Sequence, residues 1–135
     1  MTFLKTYSWS SVTLNFFIAS FSIQTVFLCI HFWKCVLKNE WVKLELSIAH
    51  MIDADFGAGS ILIAFGAVLG KLNIFEYTTM ALIQSIIYGL QFVLCFVVLG
   101  ALDLGGSITI HLFGAIFGVI VSLMIKNEKA INHPN

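Results

Sequence analysis

Four apolar stretches dominate the 135-residue chain, at 11–33, 51–70, 74–101 and 105–125. Each is long enough to cross the hydrocarbon core of a bilayer, which takes about 20 helical residues. None alternates apolar with polar residues in the way a membrane strand does. In lipid every backbone N–H and C=O must be paired within the protein, and a helix pairs them locally. The stretches therefore predict four transmembrane helices, the third long enough to tilt. Composition agrees: 59% of residues are hydrophobic and 10% charged, where a soluble domain is nearer half and a quarter. The expected fold is all-α and polytopic, an integral multi-pass membrane domain over 1–125 with a polar tail at 126–135. Residues 1–7 are too short for a secretory signal and run directly into a full-length span.

Charge excludes several function classes. The formal net charge is zero and the basic residues are seven lysines with no arginine. Nucleic acid is not an expected partner, because no basic run or guanidinium fork is present to hold phosphates. Cys29, Cys35 and Cys95 match neither a zinc spacing nor a disulfide framework and read as small buried hydrophobes. No nucleophile–base pair, metal spacing or phosphate loop occurs, so the chain is not expected to be an enzyme or to hold a cofactor. Lys5, Lys71, Lys126 and Lys129 fall on one side of the predicted membrane and Lys34, Lys38 and Lys43 on the other, which places both termini in the cytoplasm.

Glycines punctuate the second and fourth spans. Gly66 with Gly70, and Gly114 with Gly118, form small-xxx-small pairs. Such pairs let helix backbones approach closely in lipid, so both are read as packing positions.

The candidate chemistry centres on "DLGGSITIH", residues 103–111. His111 stands about a third of the way into its span. A histidine there is either a packing residue bonded to a neighbouring carbonyl or a proton-capable group facing a lumen. On an ideal helix Asp103 lies about 12 Å away along the axis and about 80° around it, so both could border one lumen. Asp103 also reads as a helix-start carboxylate set against the dipole. In the second span, Asp53 and Asp55 flank the entrance as solvated end charges or as an acidic mouth. Phe56, one step in, is an ordinary aromatic or a ring that holds a cation above a dry constriction. His31 and His50 sit at span ends and receive no role.

Taken together, "MTFLKTYSWSSVTLNF" (1–16), "FIASFSIQ" (17–24), "IDADFGAGSILIAFGAVLGK" (52–71) and "LDLGGSITIHLFGAIFG" (102–118) resemble the Rhesus glycoprotein branch of the ammonium transporter family. The likeness runs in the family's order from Met1 to about Ser122. It implies a plasma-membrane channel for ammonia, fed by ammonium and forming a homotrimer when complete. By the same resemblance Phe56 takes the place of one gate phenylalanine, His111 that of the first histidine of a facing pair, and Asp103 that of an aspartate near the outer mouth. Members of the family are roughly three times as long, with about eleven or twelve spans in two inverted halves. The second histidine, the second gate phenylalanine and the other half of the pore wall have no counterpart here. Gln91 and Phe92 stand where the family often has Asn-Glu, and Ile116 replaces a tyrosine. The readings carried forward are a part of an ammonia channel and, as the alternative, a non-conducting fragment that associates with full-length subunits.

Overall fold

A computed structural model describes residues 8–125. Helix α1 spans Ser8–Lys38, α2 Ile48–Ala67 and α3 Ile74–Phe92. The third span continues as a wide π-helical turn, Val93–Val98, and the fourth opens with another, Ser107–Leu112, before α4, Phe113–Met124. All four spans are long and apolar enough to cross a membrane. The predicted tail at 126–135, and residues 1–7, lie outside the described residues.

Helix ends differ from the apolar runs for local reasons. The first run stops at Trp33, yet α1 continues through Lys34 to Lys38. Lysine is a good helix former whose apolar stem can lie along a bundle while its head reaches water. Ser47 caps α2 by accepting from the His50 N–H at 3.3 Å, which sets the start earlier than expected. At the entry to α3 the Glu76 carboxylate accepts from the Asn73 N–H at 2.7 Å, one arm of a capping box. Tyr77 binds the α2–α3 turn, its hydroxyl donating to Val68 O at 2.9 Å and accepting from Gly70 N at 3.1 Å.

Helix α1 packs on α2 and α3, and α4 packs on α2. Ile18, Val26, Ile61, Phe65, Tyr77, Tyr88 and Val93 form the centre of the core. The α2–α4 contact is backbone on backbone. A Cβ added to Gly114 would lie 2.5 Å from Ser60 O, and one on Gly118 would lie 2.8 Å from Ala64 Cα. The Gly114/Gly118 pair is therefore a helix contact, as its spacing predicts. The Gly66/Gly70 pair is not. Among the described residues a Cβ on either would meet nothing within 4 Å, and Gly70 lies past the end of α2 with φ +75°.

Polar groups join the three core helices. Thr25 and Ser85 share a hydroxyl–hydroxyl bond of 2.8 Å, and Gln84 Nε2 donates to Ser60 O at 3.2 Å. Trp33 Nε1 donates to Ile86 O at 3.0 Å. Lipid offers no competing partner for such groups, so they hold helices together.

A candidate site at the histidine turn

The segment between the third and fourth spans is ordered by its own backbone and by one carboxylate. Gly106 adopts a left-handed conformation, φ +68°, which an L side chain reaches only at a cost. The glycine is further required because a Cβ there would collide with the Ile110 side chain. Gly106 N donates to Asp103 O at 3.2 Å, closing the turn before the helix. Asp103 Oδ2 then accepts from Thr109 N at 2.8 Å, Thr109 Oγ1 at 2.8 Å and Ile108 N at 3.1 Å. The two N–H groups are of the kind left orphaned at a helix start, and a carboxylate there also complements the helix dipole. The Thr109 N–H and then its hydroxyl hold the Asp103 carboxyl below the usual carboxylate range.

The ideal-helix ruler between Asp103 and His111 fails at this point. Regular helical structure starts only at Ser107, and the first turn is π, so Asp103 folds back on the turn from outside it. The two residues still belong to one small assembly, joined through Gly106. Gly106 O accepts from Ile110 N at 2.9 Å, from His111 N at 3.0 Å and from the His111 ring Nδ1 at 3.1 Å. A carbonyl can only accept, so Nδ1 carries the proton and a neutral ring keeps its lone pair on Nε2. His111 lies on the outer surface of the described bundle and not in its core.

Helix α2 borders this turn: a Cβ on Gly59 would lie 3.9 Å from Ile110 Cγ2. Phe56 is nearly one turn earlier on α2 and 50% exposed, with no ring stacked on it among the described residues. The three residues singled out from the sequence thus fall on two contacting elements, His111 in the π turn with Asp103 folded back on it, and Phe56 on neighbouring α2.

The aspartates of the second span part company. Asp55 is exposed, whereas Asp53 is half-buried and borders a cavity of about 260 Å³ with His31, Lys34, Glu45 and His50. His31 Nε2 donates to Val42 O at 3.1 Å, and His50 Nδ1 donates to Glu45 O at 3.2 Å, so both rings tie down the 39–47 connection. Lys34 Nζ stands 5.8 Å from the centroid of Phe92, a cation–π arrangement. The Gly105-Gly106 pair after Asp103 is itself a sequence signal of a turn there, whereas no local signal points to Lys34.

The sequence profile of the Ammonium Transporter Family matches residues 1–133. The chain belongs to the ammonium transporter family. Among its relatives are Ammonium transporter Rh type B-B of Xenopus laevis, 43% identical over 133 residues, and Ammonium transporter Rh type B of Xenopus tropicalis, 44% identical over 133 residues. Each alignment covers 95% of this chain and 27% of that protein. Ammonium transporter Rh type B of Danio rerio is 40% identical over 129 residues, 96% of this chain and 28% of the relative. The chain therefore spans little more than a quarter of the length of the relatives it matches, and Phe56, Asp103 and His111 all lie within the profile match.

Proposed function

We propose that the chain forms one wall of an ammonia-conducting pore of Rhesus type, with His111 lining it, Phe56 narrowing its entrance and Asp103 holding the histidine turn in place. The observation that carries this reading is the His111 ring, anchored at Nδ1 by Gly106 O and turned away from the core of its own bundle. An imidazole so held offers an unprotonated Nε2 to a donor, and ammonia and ammonium are both N–H donors. Carrying a bare ammonium ion through hydrocarbon is costly, so passage as ammonia after loss of the proton avoids the main barrier. Neutral imidazole gives the solute a hydrogen bond there without adding a permanent charge.

In this reading the side of the pore facing His111 is supplied by further protein, within a homotrimer in the plasma membrane. The test is flux of methylammonium or ammonia in liposomes, for the 135-residue chain alone and within a complete Rh-type subunit. The chain alone is expected to pass no more than empty liposomes. The complete subunit should conduct and lose flux on His111→Ala. Flux unchanged by both His111→Ala and Phe56→Ala would remove the site assignment.

A further inference from the structure

Val26 of α1, Gly57 of α2 and Tyr88 of α3 meet in one layer of the core. A Cβ on Gly57 would lie 2.5 Å from Val26 Cγ1 and 2.8 Å from the Tyr88 ring. Successive spans run in opposite directions, so one turn onward in α2 matches one turn back in α1 and α3. That step leads from Gly57 to Ser60, from Val26 to Ser22 and from Tyr88 to Gln84. The next layer is therefore polar on all three helices, in the middle of apolar runs.

Ser22, Ser60 and Gln84 are each fully buried, at 0% exposure. Each also holds a polar atom with no partner among the described residues: Ser22 Oγ, Ser60 Oγ and Gln84 Oε1. Their other groups are bonded into the same seam. Gln84 Nε2 donates to Ser60 O at 3.2 Å, and Thr25, bonded to Ser85, stands 3.1 Å from Ser22 O. Helix α4 closes this level, since a Cβ on Gly114 would lie 3.0 Å from Ser60 Oγ. A hydroxyl or carboxamide oxygen left unbonded in such a place is costly.

We infer that Ser22, Ser60 and Gln84 form an internal site for one water molecule where α1, α2 and α3 meet. The atoms select the occupant. Gln84 Oε1 is a carbonyl oxygen and only accepts, so the occupant must donate, while the serine hydroxyls can donate or accept. None of these residues carries a charge, so an ion here would be buried without compensation. Water both donates and accepts, and an internal water makes about three bonds to groups of this kind. The site stands apart from the histidine turn and does not rest on the passage of ammonia.

The experiment is nuclear magnetic resonance of the 135-residue chain in detergent micelles, isotope-labelled at its glutamine side chains. Rotating-frame Overhauser transfer from water to the Gln84 side-chain N–H is the readout, because its sign separates proximity from proton exchange. Gln84 is expected to show a proximity signal despite its burial. Ser22→Val, which puts methyls in place of the hydroxyl and the water, should abolish that signal with circular dichroism unchanged. Ser22→Ala and Ser60→Ala each remove one of three bonds and should weaken it about two-fold. A folded chain with no water signal at Gln84 overturns the inference. So does a signal that survives Ser22→Val, or one that both alanine variants leave unchanged. A serine hydroxyl proton found bonded directly to Gln84 Oε1 would overturn it too. Replacement of the water signal when ammonia is added at alkaline pH would give the site to that solute, and overturn it equally.

Discussion

Asp103 grips Thr109 twice, taking both its backbone N–H and its hydroxyl on one carboxylate oxygen at 2.8 Å each. Two residues further on, His111 is fixed through Gly106. The carboxylate therefore acts on the histidine through the shape of the turn, by satisfying the donors that would otherwise leave the first turn free to fray.

That relationship has a pH signature. The Asp103 carboxyl is held below the ordinary carboxylate range by Thr109. Its contribution to stability is then present above the unfolded value of about 3.9 and is lost as pH falls through the lower folded value. Thermal melts in detergent should show wild type above Asp103→Asn by a constant interval at neutral pH, with the interval closing below about pH 4. A gap that persists unchanged into strong acid would show that charge on Asp103 plays no part.

The tautomer of His111 is directly observable. With Nδ1–H committed to Gly106 O, nitrogen NMR of the neutral ring should place the proton on Nδ1 and leave Nε2 bare. Gly106→Ala should disturb this pattern and cost about 1–2 kcal/mol for the left-handed backbone, with the Ile110 clash in addition. An Nε2-protonated ring in the wild type would contradict the anchored geometry.

The two glycine pairs should separate in a stability assay. Gly118→Ala drives a Cβ to 2.8 Å from Ala64 Cα and is expected to destabilise by about 1–3 kcal/mol. Gly66→Ala meets open space inside α2 and should stabilise by up to about 1 kcal/mol through helix propensity. Unfolding in mixed micelles would distinguish them, and equal effects would remove the close α2–α4 contact as a determinant.

The existence and order of the four spans were legible because lipid leaves a chain few choices, and apolar length alone selects helices. The ends were less so. Lys34 closes an apolar run but not a helix, since a snorkelling lysine belongs to both worlds. The π turns were invisible, because hydropathy reports which residues are apolar and not how many complete a turn. For that reason Asp103 lies off its ideal-helix position: no α-helix begins until Phe113. The Gly66/Gly70 error has a similar source. Spacing identifies a small-residue stripe, but whether a neighbour lies against it is decided by the packing of α4. Thr25, Ser85, Gln84 and Ser60 show in the sequence only as polar residues inside apolar runs, and which of them meet is decided by helix packing.

The wide turn that carries His111 also governs which changes of length the fourth span tolerates. In a uniform α-helix, loss of one residue rotates everything beyond it by about 100° and would swing Gly114 and Gly118 off Ser60 and Ala64. A π turn already holds one residue more than an α turn needs. Deleting one residue within Ser107–Leu112 can relax the turn to ordinary pitch and leave the glycine face where it is. The deletion should fold, whereas the same deletion at 115–117 should not, as detergent solubility and melting would report. The span is thus elastic in length at the turn bearing its histidine and rigid in phase one turn later.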